Sequence, residues 1–247
     1  MRIDLNADVG ESFGAWSLGE DDALIPVVTS VNVACGFHAG DPVTIEQTIS
    51  RAVAAGVAVG AHPGYPDLAG FGRRDMNMPV RELEAAIVYQ VGAVAAFARA
   101  AGVELRHVKP HGALYNRAAD DPAIAEAVAR GVARAGADLI LVGLAGSASL
   151  DAGRAVGLRV AAEAFADRAY EADGRLRSRS QAGAVLDDPD ACARQAIALA
   201  GDAALRPDTI CVHGDRPGAV RRARAVRRAL EDAGIEVRAL ASGVATA

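Results

Sequence analysis

The sequence has few cysteines, and their positions exclude several classes of protein. Cys35, Cys192 and Cys211 are odd in number and show no CxxC spacing, so we expect neither a disulfide framework nor a zinc ribbon. Free thiols of this kind are typical of the reducing cytoplasm. The first four residues already carry two charges, which is not the pattern of a secretory signal. We therefore expect a cytoplasmic chain.

Long apolar runs, a basic charge excess and the common nucleotide-binding loop are also missing. No apolar run approaches the roughly 18–20 residues of a membrane helix. The net charge of −5 argues against a general nucleic-acid binder. With 51% hydrophobic residues, the chain does not have the composition of a disordered one. The sequence contains no GxxxxGKS/T motif and no GxSxG motif. We therefore expect neither a P-loop nor the nucleophile elbow of serine hydrolases.

Lysine is almost absent. The chain has 57 alanines and 25 arginines but a single lysine, Lys109. We interpret this bias as that of a GC-rich genome, in which arginine replaces lysine wherever the exchange is tolerated. A lysine that remains under such a bias is a candidate for a chemical role, because its compact ammonium differs from the planar guanidinium.

Short apolar runs alternate with alanine-rich helical stretches along the whole chain. Candidate strands are residues 2–7, 31–35, 57–61, 105–109, 138–142, 158–163, 209–213 and 235–240. Candidate helices are residues 20–29, 42–55, 80–101, 122–135, 147–156, 189–200 and 217–233. Asp41-Pro42, Asp121-Pro122 and Asp188-Pro189 open three of these helices, since aspartate caps free N–H groups and proline suits the first helical position.

Strict alternation of strands and helices predicts a parallel sheet with helices outside. We predict one domain, residues 1–247, folded as an irregular seven- or eight-stranded parallel β/α (TIM-like) barrel. Only seven residues follow the last strand, too few for a normal closing helix. A doubly wound sheet is the alternative, although no glycine-rich dinucleotide turn follows the first strand.

Polar residues concentrate where the predicted strands end, which is where β/α barrels carry their chemistry. Four of the five histidines lie at or just beyond such ends. The candidate site residues are Asn6, Asp8, His38, His62, Lys109, His111, Glu163, Asp167, Arg168, His213 and Asp215.

Several of these side chains also have a purely structural interpretation. Asp8 suits a turn cap, and His38 and His62 each precede a turn or a helix start. Cys35 is better explained as a small packing residue than as a nucleophile. His107, inside its strand, is expected to pack or to support the site indirectly.

A metal site is a second interpretation of the same strand ends. Asp8, His38 and His62 are the three ligands that such a site would use. His107 and His111 are four residues apart but in a strand, so they do not form an HExxH zinc motif. The spacing leaves the presence of a metal open, because any barrel brings its strand ends together.

Arginines cluster in two places. Arg168, Arg175, Arg177 and Arg179 flank a long polar loop with a hairpin turn at Asp173-Gly174, and they suit either a carboxylate or phosphate clamp or a solvated hairpin. Arg221, Arg222, Arg224, Arg227 and Arg228 lie on the last helix and are expected to form a solvated basic face.

The segments DLNADVGESFG, NVACGFHAGDP, VGAHPGYPD, KPHGALYN and EAFADRAY resemble the LamB/YcsF family in order and in spacing. The resemblance implies an irregular β/α barrel akin to the polysaccharide-deacetylase group. It also implies ATP-dependent opening of 5-oxoproline to L-glutamate by 5-oxoprolinase, in which this chain would be the A subunit beside subunits B and C.

Opening a γ-lactam after activation by ATP requires a base for water, an acid for the leaving nitrogen and a cation for the anionic intermediate. Asp8, His38, His62, Lys109 and His111 supply these groups. We expect the other candidates to bind substrate: Asn6, Glu163, Asp167, Arg168, His213 and Asp215. A stand-alone metal-dependent amide hydrolase or deacetylase and a sensor of small acids are the alternative functions.

Overall fold

The computed structural model describes residues 1–171 and 173–240, and it is a closed barrel of seven parallel strands, as predicted. The seven ring strands are β1 (Arg2–Val9), β2 (Ser30–Ala34), β3 (Ala58–His62), β4 (His107–Val108), β5 (Ile140–Leu144), β6 (Arg159–Phe165) and β7 (Thr209–Cys211). An eighth strand, β8 (Glu236–Val237), pairs with β1 outside the ring. Strands β2 to β7 follow one another around the ring, and β1 closes it by pairing with both β2 and β7.

The helices of the described chain surround the ring. They are α1 (Asp21–Leu24), α2 (Pro42–Ala54), α3 (Val80–Ala100), α4 (Gly112–Asp120), α5 (Pro122–Ala135), α6 (Ala148–Ala155), α7 (Pro189–Ala200) and α8 (Ala219–Asp232). Short 3-10 turns add Ile25–Val27 and Leu68–Gly70. Valine, leucine, isoleucine and alanine side chains between the helices and the ring form one continuous core.

The structure differs from the predicted elements in two helices and in the length of the last strand. The helix expected at 20–29 is one short turn that continues as a 3-10 turn, because Pro26 lies in its middle. Helix α4 is additional, since the weakly apolar GALYNRAAD run has no capping signal. Strand β8 pairs only with Arg2 and Ile3 at the start of β1. The segment 241–247, where no closing helix is expected, lies outside the described residues.

Helix α3 is the one described helix that is long and apolar enough to cross a membrane by length and composition, with a mean hydropathy of 1.3. It packs against α5 and β3. A Cβ at Gly131 of α5 would come within 2.7 Å of Ile87 Cβ, so this glycine allows the two helices to approach closely. The contacts are those of a core helix in a barrel.

The three Asp-Pro helix starts are confirmed. Asp121 and Asp188 accept hydrogen bonds from N–H groups of the first turns of α5 and α7. Asp41 accepts hydrogen bonds from the Val43 and Thr44 N–H groups at the start of α2 and also from Gly14 N–H. Hydrogen bonds from Gly14 and Thr44 lower the pKa of Asp41 to about 2.

Replacing Asp41 with alanine should lower the free energy of unfolding by about 1–2 kcal/mol at pH 7, because the cap is lost. Asp41→Asn keeps an acceptor oxygen but cannot ionise. The pKa of Asp41 is lower in the folded chain than its ordinary value, so the ionised cap stabilises fully above pH 4 and its contribution falls as the pH approaches 2. Urea unfolding across this range should show the wild-type advantage over Asp41→Asn shrinking with acidification; a constant difference contradicts this.

Candidate active site

The side chains of Asp4, Asn6 and Asp8 alternate with apolar neighbours along β1, so all three point into the barrel. Asp4 lies deepest and accepts hydrogen bonds from Ser30 and Thr209. Burial raises its pKa despite these bonds. Asn6 lies in the next layer, and Asp8 is at the C-terminal end of the barrel. The strand therefore carries a polar column from the barrel floor to its mouth.

Lys109, immediately after β4, is the cation at the centre of this column and is only 2% exposed. Its Nζ lies 3.0 Å from Asp8 Oδ1 and 2.9 Å from Glu163 Oε1. It also lies 3.2 Å from Asn6 Oδ1 and 3.1 Å from Cys211 Sγ. Burial alone would lower the pKa of Lys109, but the charges around it, led by Asp8, raise it well above its ordinary value. Lys109 is thus held as an ammonium ion.

Asp8 is an ionised carboxylate in the same network. Burial alone would raise its pKa, but the charges of His62 and Lys109 outweigh burial and hold the pKa well below its usual range. Its Oδ2 lies 3.4 Å from His62 Nε2. One carboxylate oxygen therefore faces the lysine and the other faces a histidine.

Asn32 on β2 is a site residue that the strand-end pattern did not indicate. Its Nδ2 donates to Asn6 Oδ1 at 2.7 Å and to Asp8 Oδ1 at 2.8 Å. His107 Nε2 lies 2.7 Å from Asn32 Oδ1. Because burial and the Lys109 charge lower the pKa of His107 to about 3, its ring is neutral and donates to this oxygen. This hydrogen bond fixes the orientation of the Asn32 amide, so that Nδ2 and not Oδ1 points to Asp8.

Gly60 on β3 provides the space for this support, since a Cβ there would collide with the His107 ring. The indirect role expected of His107 agrees with these contacts. The signal for Asn32 was present in the sequence, because asparagine occurs only four times and Asn32 lies in a buried strand.

A second cluster of buried side chains lies next to Asp8. His38 and His111 stack in parallel with ring centroids 3.8 Å apart, and His111 Nδ1 lies 3.0 Å from His62 Nε2. His62 Nδ1 lies 2.6 Å from the Lys109 carbonyl oxygen. Glu11 Oε1 lies 3.9 Å from His38 Nε2 and 3.8 Å from His111 Nδ1. Glu11 follows β1 and is the second residue that the strand-end pattern did not indicate.

This Glu11–His38–His62–His111 cluster has the donor set of a divalent metal site. Each residue offers one ligand atom, and these atoms lie within 4.8 Å of one another. His38 is fully buried and neither of its ring nitrogens has a hydrogen-bond partner, which fits a ligand role. Burial and His62 lower the pKa of His38, which keeps its ring neutral. The group could therefore hold a metal ion.

The expected ligand set of Asp8, His38 and His62 shares two histidines with this cluster, which lacks Asp8 and includes Glu11 and His111. Asp8 Oδ2 lies 3.4 Å from His62 Nε2, but it is Glu11 that lies beside His38, at 3.9 Å from His38 Nε2. Asp8 belongs to another such group, with Cys211 and His213. The physical reason is the turn after β1, where Gly10 has a φ of +68° and brings the chain back over the barrel mouth.

A pocket of about 480 Å³ opens above these groups at the C-terminal mouth of the barrel. Asp8, Glu11, His62, Lys109 and His111 lie on its inner wall. Phe165 and His213 lie beside them, and the outer wall includes Arg73, Arg168, Arg175, Arg177, Arg179 and Asp215. The predicted hairpin is present, with Tyr170 paired to Leu176 in antiparallel fashion, and it covers one side of the pocket.

Most arginines of this loop already have partners. The Arg168 guanidinium donates to the carbonyl oxygens of Ala184 and Arg177, so it holds the loop. Arg175 and Arg177 form ion pairs with Asp120 and Glu171, respectively. Among the described residues, Arg179 lines the pocket without an ion pair or a hydrogen bond. Burial and the neighbouring charge of Arg73 lower the pKa of Arg179.

Four of the candidate residues lie behind the pocket wall. Asn6 and Glu163 are buried beneath Lys109, where Asn6 Nδ2 donates to Glu163 Oε1 at 3.0 Å. Asp167 accepts from the His213 backbone N–H and lies 2.9 Å from His213 Nδ1, so it orients that ring. His38 is covered by its neighbours. We interpret Asn6, Glu163 and Asp167 as supports of the residues that a ligand would touch.

Neither Cys35 nor Cys211 is placed to act as a nucleophile. Cys35 is buried, and burial raises the pKa of its thiol. Its Sγ lies 3.3 Å from the Val33 carbonyl oxygen, to which the thiol donates. Cys211 is buried in β7, and its Sγ lies 3.1 Å from Lys109 Nζ.

Known proteins share this architecture. The LamB/YcsF family model matches residues 3–245. The A subunit of 5-oxoprolinase from Chloroflexus aggregans is 57% identical over 248 residues, covering 96% of this chain and 98% of that protein. The crystal structure of a lactam utilization protein from Thermus thermophilus has a TM-score of 0.90 and 48% identity, covering 97% and 100% of the two chains.

A polysaccharide deacetylase from Bacillus cereus is similar in fold alone, with a TM-score of 0.52 and 14% identity over 98% of this chain and 93% of that one. The resemblance seen in the sequence motifs is thus matched over nearly the whole chain by the family model and by the relatives. The chain belongs to the LamB/YcsF family.

Proposed function

We propose that this chain is the A subunit of a cytoplasmic, ATP-dependent 5-oxoprolinase, which opens 5-oxoproline to L-glutamate together with subunits B and C. The observation that carries the proposal is the buried Lys109 ammonium between the carboxylates of Asp8 and Glu163, at the inner end of a pocket. The names of the relatives, which include the A subunit of 5-oxoprolinase and a lactam utilization protein, support it.

The pocket suits a small cyclic amide that carries a carboxylate. Its inner wall offers ionisable groups for the lactam, and its outer wall offers the cations Arg73 and Arg179 for the carboxylate. Arg73 is already paired with Asp215, its Nη2 lying 2.6 Å from the carboxylate oxygen. Arg179 is therefore the stronger candidate for the substrate carboxylate.

The reaction needs activation, since the lactam is a resonance-stabilised amide. Transfer of the terminal phosphoryl group of ATP to the lactam oxygen gives ADP and an imidoyl phosphate. Water adds to the activated ring carbon, and the C–N bond then breaks with protonation of nitrogen, leaving γ-glutamyl phosphate. A second water releases phosphate and L-glutamate.

Each step has a matching side chain. Asp8 and His62 together accept the proton of the attacking water, because the ionised carboxylate stabilises the imidazolium that forms. Lys109 stabilises the negative charge that develops on the intermediate. Since its pKa is raised, Lys109 acts as a fixed cation rather than as the proton donor. We assign proton delivery to the leaving nitrogen to the His62 imidazolium formed when water attacks; His62 lines the pocket beside His111, whose Nδ1 lies 3.0 Å from His62 Nε2.

A stand-alone metal-dependent amide hydrolase or deacetylase is the second candidate. The observation that favours it is the Glu11–His38–His62–His111 cluster with the unpartnered ring nitrogens of His38. A divalent ion held there would supply Lewis-acid catalysis. In that case Asp8 and Lys109 would still provide charge beside the reacting amide.

The purified chain alone should hydrolyse neither ATP nor 5-oxoproline at a useful rate, because it has no P-loop and the activation step belongs to the partners. ATPase activity should depend on subunits B and C. Phosphate release and glutamate formation by the single chain, each with and without a chelator, are the measurements. ATPase activity of the single chain that 5-oxoproline stimulates contradicts this division of labour, and chelator-sensitive amide hydrolysis without ATP supports the second candidate instead.

A further inference from the structure

Arg222 is a buried arginine outside the barrel pocket. It was expected on a solvated face, but it is only 1% exposed, because it lies on the buried side of α8, a helix that packs mainly against α7. Its Nη1 donates to the Pro217 carbonyl oxygen at 3.0 Å. Its Nε and Nη2 have no hydrogen-bond partner. A buried guanidinium with free donors is costly unless an anion binds it.

A second guanidinium approaches the same point. A Cβ built on Gly218 would lie 3.4 Å from Arg222 Nη1 and 3.5 Å from Arg221 Nη2. Arg216 lies on the other side and pairs with Asp187 at 3.2 Å, while Asp187 Oδ1 lies 3.9 Å from Arg222 Nη1. Three arginines and one carboxylate thus line the same cleft, which leaves an excess of positive charge among its lining residues.

The start of α8 adds a further positive contribution. The helix is 14 residues long, Gly218 precedes it with a φ of +80°, and no side chain caps it. The Ala219 N–H donates to the Arg216 carbonyl oxygen at 3.2 Å, but the next two N–H groups, those of Val220 and Arg221, remain available, and the helix dipole favours an anion there. A cleft of about 280 Å³ lies at this point, lined by Asp187, Pro189, Arg216, Pro217, Gly218, Arg221 and Arg222.

We propose that this cleft is a second binding site, for a phosphate-class oxyanion. Guanidinium groups and helix N–H groups from several directions match a tetrahedral group with three free oxygens better than a planar carboxylate. Asp215, on the wall of the barrel pocket, immediately precedes Arg216. The bound anion would therefore lie next to the candidate active site but outside it. Inorganic phosphate and the phosphate groups of a nucleotide share this chemistry.

Isothermal titration of the purified chain with inorganic phosphate, at constant ionic strength adjusted with chloride, tests the site. We expect saturable binding to the wild type. Arg221→Gln should raise the Kd by on the order of tenfold, which is the loss of one charge-assisted contact. Arg228→Gln removes the same charge from an exposed position of the same helix and should leave the Kd unchanged. Arg221 is exposed, so its replacement leaves the core intact.

The same titration with ADP distinguishes the sources of the anion. Tighter binding of ADP than of phosphate, weakened by Arg221→Gln, assigns the site to a nucleotide, whereas tighter binding of phosphate assigns it to the free ion. Absence of saturable binding overturns the proposal, as does an Arg221→Gln variant with wild-type affinity. A Kd that rises in Arg179→Gln and not in Arg221→Gln places the anion at the barrel mouth and also overturns it.

Discussion

Replacing Lys109 with arginine should lower glutamate formation from 5-oxoproline and ATP in the assembled complex by on the order of 100-fold. The ammonium fits between Asp8, Asn6, Glu163 and Cys211 with every contact at 2.9–3.2 Å. A guanidinium is planar and larger, so it keeps the charge but cannot place it at the same point. Overpacking should cost about 1–3 kcal/mol of folding stability, which leaves a folded chain to assay.

The double variant Lys109→Arg with Cys211→Ala separates charge placement from crowding. Removing the sulfur makes space beside Lys109, so the double variant should regain thermal stability without regaining activity. Turnover near the wild-type rate in either variant would remove Lys109 from the mechanism. Thermal unfolding and the glutamate assay on the same preparations provide both readouts.

Replacing Asp8 with asparagine should reduce turnover by about 1,000-fold, since the ionised carboxylate assists proton transfer from water to His62. The amide keeps the size of the side chain, and Glu163 remains as a counter-ion for Lys109. The change therefore removes the charge that faces His62 with little change in shape.

Asp4→Asn is the matched control for this variant. Asp4 points inward from the same strand, but it lies at the barrel floor and bonds to Ser30 and Thr209, away from the pocket. Its replacement should change the stability and leave kcat within a few-fold of the wild type. An equal loss of kcat in both variants would indicate that Asp8 only stabilises the folded structure and takes no part in the reaction. Steady-state kinetics of the reconstituted complex, beside urea unfolding of each chain, separates the two outcomes.

The barrel was predictable because its signals are local. The spacing and length of the apolar runs indicate the strands. Each Asp-Pro pair indicates a helix start from two adjacent residues. Helix α4 was not predictable in the same way, because its nine-residue sequence is only weakly apolar and no side chain caps its start. Strand β8 lies within the range predicted for it, but its pairing with only Arg2 and Ile3 of β1 depends on the three-dimensional fold.

Barrel geometry explains which site residues the sequence indicated. The rule that polar residues at strand ends meet at one mouth selected Asp8, His62, Lys109 and His111, all of which line the pocket. Glu11 lies in a turn beyond the strand, and Asn32 lies in the middle of one, so the rule missed both. The rule also cannot distinguish a residue that faces the pocket from one behind it, as Glu163 and Asp167 illustrate. The partners of Arg168 and Arg222 are carbonyl oxygens of nearby turns, whose positions residue spacing does not predict.

The most direct test of the proposed function is glutamate formation from 5-oxoproline and ATP in a mixture of subunits B and C, with this chain added or left out. We predict that glutamate and ADP form together only when the chain is present, and that the Lys109→Arg chain does not replace the wild type. Glutamate formation at the same rate without the chain, or none with all three proteins present, would contradict the proposed function.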